Sequence, residues 1–169
     1  LGILKPNTNL IVGLKDDNLL KIAKNKAIEL NAKFYAPLLE AYEIKETGFL
    51  STRFISNAYG EVKLQLAGIH QIENALVALK TFAVVAPLII NKPDIQKAIN
   101  AISNTKWPGR LEVMSTDPLI VIDGGHNIDG VTRICEFVSK QNVGKKRVIF
   151  ACSDNKEKEK FAQQIYQSV

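Results

Sequence analysis

The chain has little of what redox, metal or export chemistry needs. Of its 169 residues two are cysteine. Cys135 and Cys152 stand 17 positions apart inside apolar stretches without a CxxC spacing. That predicts buried, reduced thiols and a reducing, cytoplasmic compartment rather than a disulfide or a metal site. Gly (10) and Pro (6) are too few for collagen-like or low-complexity chains, and 46% hydrophobic residues are too many for a disordered one. The longest uncharged apolar run, Phe82 to Ile90, is broken by Pro87. It falls well short of the roughly 20 residues that span a bilayer. Leu1 to Asn9 lacks the charged and apolar regions of a signal peptide. GxxxxGK[ST], HExxH and GxSxG are all absent, so a complete nucleotide-cleaving site is not expected within these residues.

Net charge is +5, with 12 basic and 9 acidic residues through Thr105 and 10 and 8 from Lys106 onward. The excess is spread evenly. Its one tight basic run, Lys145-Lys146-Arg147, precedes an apolar segment and reads as a solvated strand entry, which argues against nucleic acid as a partner.

Periodicity predicts an α/β chain. A buried strand over Asn9 to Leu14, a helix to about Asn31 and a strand at Lys33 to Pro37 form a parallel strand–helix–strand unit. Residues Gly48 to Ser56 and Glu61 to Leu66 flank Asn57-Ala58-Tyr59-Gly60 as a hairpin with a four-residue loop. Core helices are expected over His70 to Leu88 and over Pro93 to Ile102, with Pro93 in the first turn. Trp107-Pro108-Gly109-Arg110 then interrupts regular structure and is the expected hinge between domains at 1–106 and 111–169. Beyond it, strands are expected at Leu111 to Ser115, Leu119 to Ile122 (buried) and Arg147 to Cys152, and helices at Asn127 to Gln141 and Lys156 to Tyr166.

Three segments carry polar groups that packing alone does not require. Asp123-Gly124-Gly125-His126-Asn127 follows an apolar strand, where an open α/β sheet binds ligands and a helix N-terminus favours anions. Gly124 and Gly125 would let a phosphate approach the backbone; the alternative is a turn in which Asp123 or Asn127 caps a helix. His70 and Asn74 sit one helical turn apart, and an amide at Asn74 can read a purine edge or simply lie exposed on a capped helix. Arg110, at the hinge, suits a phosphate clamp or a surface ion pair.

Taken together, Gly2-Ile3-Leu4-Lys5-Pro6, Gly68-Ile69-His70-Gln71-Ile72-Glu73-Asn74-Ala75, Trp107-Pro108-Gly109-Arg110-Leu111-Glu112 and Asp123-Gly124-Gly125-His126-Asn127 resemble the folylpolyglutamate synthase/dihydrofolate synthase family of the Mur ligase superfamily. The resemblance covers nearly the whole chain. It implies the end of a Mur-ligase-type ATPase domain followed by the start of a Rossmann-like, glutamate-binding C-terminal domain. It also implies a cytoplasmic, monomeric ATP- and Mg²⁺-dependent ligase joining L-glutamate to folate or dihydropteroate through an acyl phosphate. By position Asn74, Arg110 and Asp123 match nucleotide-contacting residues, and His126 matches a catalytic histidine near the acyl-phosphate end.

The family's phosphate loop, its Mg²⁺ ligands and a carbamylated lysine are expected upstream of Leu1, so a segment confined to these residues is expected to be inactive alone. DGGHNID departs from the common DGAHNPH, with Ile128 and Asp129 replacing Pro and His. The alternatives are a Mur-type peptidoglycan amino-acid ligase and a non-catalytic nucleotide-binding module.

Overall fold

A computed structural model describes residues 2–142, 144–153 and 158–168. Strands β1 (Asn9–Ile11) and β2 (Lys33–Tyr35) pair in parallel, with Leu10 opposite Phe34, across helix α1 (Asp17–Glu29). The Asp16 carboxylate caps α1 by accepting from the Leu19 amide at 2.8 Å. Leu20, Ala23 and Ala27 form the buried face of α1, and Val12, Leu20 and Ala23 make a small core with Phe34. This is the expected strand–helix–strand unit, although its first strand ends at Ile11 rather than Leu14 and is half-buried rather than buried.

The hairpin expected next is instead a three-stranded antiparallel meander: β3 (Tyr42–Thr47), β4 (Thr52–Ser56) and β5 (Gly60–Leu64), with β4 central. Its turn holds three residues rather than four, because Gly60 pairs with Ser56 inside the ladder. β3 escaped the period-2 pattern for two reasons. A register shift between Ile44 and Glu46 breaks the alternation, and the strand buries neither face fully.

In β4 the alternation is strict, with Thr52, Phe54 and Ser56 buried. Helix α2 (Ile69–Ile89) lays Ile72, Ala75, Leu76 and Leu79 over Phe54, Val62 and Leu64, and α3 (Ile95–Ser103) adds Ile99 to this largest core. Each fully buried Leu, Ile or Phe contributes on the order of 1.5–3 kcal/mol relative to exposure. By length and composition α2 is apolar enough to cross a membrane, yet its N-terminal half is the spine of this core. Pro93 is not in the first turn of α3: Asp94 is the N-cap, accepting from Gln96 and Lys97, so Pro93 lies outside the helix.

After Trp107–Arg110, β6 (Glu112–Thr116) and β7 (Leu119–Ile122) pair antiparallel, and α4 (Ile128–Ser139) and α5 (Lys158–Tyr166) follow. The strand expected at Leu119–Ile122 is present but not buried. Leu119, Ile120 and Ile122 are 41–48% exposed, because β6 is the strand's sole partner among the described residues and only Val121 packs into the cluster formed with Ile134, Phe137 and Val138 of α4. Arg147–Cys152, expected to be a strand, has no ladder partner among the described residues and forms none. Of the last expected helix, Lys156 to Tyr166, residues 156 and 157 lie outside the described residues, and the rest forms α5.

Cys135 is buried against Phe161 and Val131, and Cys152 is partly buried against the same cluster; both are free thiols, as expected. Residues on either side of 107–110 meet where Ala67 packs with Leu111 and Phe137, and the Phe49 and Phe137 rings stand edge to face at 5.2 Å.

Candidate functional site

The turn between β7 and α4 is held by one carboxylate. Asp123 Oδ1 accepts from the Gly125 amide at 2.6 Å, and Oδ2 accepts from the Leu111 amide at 2.8 Å. A second link joins the same two loops, the Gly124 amide donating to the Gly109 carbonyl at 2.8 Å. Glu112 closes the first loop by accepting from the Gly109 amide at 2.7 Å. Gly109 and Leu111 both adopt positive φ, at 68° and 46°. Leu111 in that region is strained, and its amide's bond to Asp123 helps hold it there. The arrangement fixes Arg110 between the two loops.

Gly125 departs from its expected role. A Cβ there would stand 2.7 Å from the Ile134 side chain and 3.2 Å from the Asp123 carboxylate, so its lack of a side chain serves close packing of turn on helix. Gly124 meets nothing closer than 3.5 Å and keeps the open approach expected of it. Asn127 is the N-cap of α4, accepting from the Gly130 amide at 2.8 Å. His126 is exposed, and its Nδ1 lies 3.2 Å from the Gly124 carbonyl; Nδ1 therefore donates, and Nε2 has no hydrogen-bond partner among the described residues.

At the start of α2, Gly68 has φ of 100°, and a Cβ on it would stand 2.7 Å from the His70 ring. Gly68 thus makes room for the imidazole. Burial holds the His70 pKa below its ordinary 6.5, helped by the Arg133 and Arg110 guanidinium groups and opposed by Asp123 and Glu73. Asn74 is exposed, and its Nδ2 donates to the buried Gln71 Oε1 at 3.1 Å.

Asn74, Arg110, Asp123 and His126 all line one hollow of about 210 Å³, together with His70 and Gln71. It adjoins a larger cleft of about 690 Å³ that shares His70, Asp129 and Arg133. Arg110 is half-buried and makes no ion pair among the described residues, which is not how a surface ion-pair arginine behaves. No group of three or more His, Cys, Asp or Glu able to hold a metal occurs among the described residues.

Sequence reasoning missed the charges that line the adjoining cleft. Glu73 pairs with Lys15 at 2.6 Å and with Arg133 at 3.4 Å, and Arg133 also pairs with Asp129 at 3.1 Å. The hydrogen bond to Glu73 raises the Lys15 pKa above 10.5, against a smaller opposing effect of burial. A signal existed: Glu73 is the one acid in α2, and Asp129 and Arg133 have the i, i+4 spacing of a helical pair.

No protein-family model matches the chain. It is 26% identical over 168 residues to the dihydrofolate synthase/folylpolyglutamate synthase of Bacillus subtilis, covering 93% of this chain and 37% of that protein. It is 31% identical over 146 residues to a probable dihydrofolate synthetase of Schizosaccharomyces pombe, covering 83% and 34%. A UDP-N-acetylmuramoyl-L-alanyl-D-glutamate–L-lysine ligase of Streptococcus pyogenes is 31% identical over 126 residues, covering 73% and 24%. Among solved structures, the folylpolyglutamate synthetase of Lactobacillus casei shares the fold with a TM-score of 0.76 at 22% identity, covering 99% of this chain and 42% of that one. The Thermotoga maritima folylpolyglutamate synthase gives 0.68 at 27% identity, over 82% and 33%. The chain thus spans about a quarter to two-fifths of the length of these relatives. With sequence and fold agreeing along nearly its whole length, the chain is a homologue of the folylpolyglutamate synthase/dihydrofolate synthase family, with Mur ligases among its relatives.

Proposed function

We propose that this chain is part of an ATP-dependent ligase that joins L-glutamate to folate or dihydropteroate, with residues 1–106 closing an ATP-binding domain, 107–110 acting as the hinge and 111–169 opening the glutamate-binding domain. One observation carries the reading: residues from three separate sequence stretches, Asn74, Arg110 and Asp123 with His126, line a single hollow. Solved folylpolyglutamate synthase complexes with AMPPCP and with AMPPCP and folate share this chain's fold and support ATP as the nucleotide.

When bound, ATP supplies the phosphoryl group that turns the pterin substrate's carboxylate into an acyl phosphate, which the glutamate amino group then attacks as phosphate leaves. Arg110, held without a competing carboxylate, supplies fixed positive charge to phosphate oxygens. Asn74 faces the hollow with an amide that can both accept from and donate to a base edge. Asp123 spends a lone pair of each oxygen on a backbone amide; it places Arg110, and its remaining lone pairs can accept from a sugar hydroxyl. His126 offers its Nε2 at the rim. At about 210 Å³ the hollow is smaller than the roughly 300–1,000 Å³ of a pocket enclosing a whole small ligand, so it serves part of the nucleotide. Mg²⁺ belongs to the same reading, although no group of three or more His, Cys, Asp or Glu that could hold it occurs among the described residues. A cytoplasmic, monomeric enzyme with small-molecule substrates, without nucleic-acid or membrane partners, completes the proposal.

The test is ADP release by the complete ligase in the presence of folate and glutamate, with this chain alone as the inactive control. Arg110→Ala in the complete ligase is expected to lower turnover by at least tenfold; unchanged turnover and ATP affinity would remove Arg110 from the site. The second reading, a Mur-type ligase, has the Streptococcus pyogenes relative in its favour. Release dependent on a UDP-N-acetylmuramoyl peptide rather than folate would establish it.

A further inference from the structure

We propose that Gln71 is a positioning residue that fixes both the tautomer of His70 and the face Asn74 turns toward the hollow, so that the three side chains form one amide–imidazole relay. Gln71 is 7% exposed, and its carboxamide is engaged at both ends. Its Nε2 lies 3.1 Å from His70 Nε2, and its Oε1 accepts from Asn74 Nδ2 at 3.1 Å. An amide nitrogen only donates, so His70 Nε2 must be the accepting nitrogen and the ring proton must sit on Nδ1. Asn74, with its Nδ2 tied to Gln71, keeps Oδ1 free to accept and one N–H free to donate.

Reversing any member reverses the others. A proton on His70 Nε2 would face the Gln71 N–H, and relief requires the Gln71 amide to turn, presenting N–H to Asn74 and turning that amide too. The charged groups around the ring are Arg133 on α4, Arg110 in the hinge loop, Asp123 in the turn before α4 and Glu73 on α2. Burial and the two arginines oppose the doubly protonated, charged ring. Gly68 seats the ring, since any Cβ there would collide with it.

The consequence for recognition rests on the nucleotide reading given above. An amide showing one acceptor and one donor matches the N6 amino group and N7 of adenine, whereas guanine shows two acceptors, O6 and N7, and would set O6 against Asn74 Oδ1. The relay is therefore a determinant of adenine over guanine.

Two measurements test it, the first on this chain and the second on the complete ligase. Long-range ¹H–¹⁵N spectra of the imidazoles should show His70 as the Nδ1–H tautomer at pH 7.5. Gln71→Glu should raise the pH at which His70 titrates, because a carboxylate accepts from the protonated ring. An Nε2–H tautomer in the wild type, or an unmoved titration in Gln71→Glu, would overturn the relay. Calorimetric binding of ATP and GTP is the second measurement. Gln71→Met, close in volume, should reduce the preference for ATP by about tenfold, while Gln71→Glu, which still accepts from Asn74, should retain it. An unchanged ATP/GTP ratio in Gln71→Met overturns the specificity claim. If neither nucleotide binds the wild type while the spectra show the Nδ1–H tautomer, the nucleotide reading and its specificity fail and the relay stands.

Discussion

Asp123 shows how a residue picked out for ligand chemistry also does structural work. Both oxygens accept backbone amides from two loops, one of them from a residue at positive φ. Asp123→Ala should therefore lower the unfolding free energy by about 1–3 kcal/mol, since two part-buried amides lose their acceptor. Asp123→Asn, which keeps one acceptor oxygen, should lose less. Urea unfolding of the three proteins checks the order, and equal stabilities would show the loops are held by other means. His70 supplies the acid limb of stability. Its folded pKa lies below 6.5, so the unfolded chain takes up a proton first as pH falls. Its contribution is thus complete above 6.5, declines as pH drops toward the folded value and is constant below it. His70→Gln should flatten that part of the urea-midpoint profile between pH 8 and 5; an identical slope would deny His70 the role.

Helices α2 and α4 do different jobs at their two ends. The N-terminal half of α2 fills the main core through Ile72, Leu76 and Leu79, while Leu88 and Ile89 at its end are 70% and 76% exposed. The same N-terminal half carries His70, Gln71, Glu73 and Asn74 on the side facing α4. Glu73–Arg133 is the ion pair that joins α2 to α4, with one side chain 20% and the other 43% exposed. A double-mutant cycle on Glu73→Gln and Arg133→Gln should give a coupling of about 0.5–1 kcal/mol that shrinks with added salt. A coupling near zero at low salt would leave the apolar cluster of Phe49, Ala67, Leu111 and Phe137 to link these regions.

Across the whole molecule, the strand–helix–strand opening, the β4–β5 pair, α2, α3 and α4 were legible because each shows one face to a core and so stamps its period on the sequence. β3 was not, since a register shift and two half-exposed faces erase the alternation. The strand expected at 147–152 rested on apolar composition alone, and composition does not supply a ladder partner. Asn74, Arg110, Asp123 and His126 were picked out as polar residues where packing asks for none. Glu73, Arg133 and Lys15 were not, because a charged residue on a helix usually means a solvated face. The sequence by itself determined the α/β elements, the family resemblance and the chemistry on offer, since periodicity and motif are local properties. Only the tertiary structure decided that four residues from three distant stretches share one hollow, that Gly125 serves packing and that Gln71 stands between His70 and Asn74. Those facts depend on which loops hydrogen-bond to each other and which helix face turns inward, and such distances are set by the packed chain.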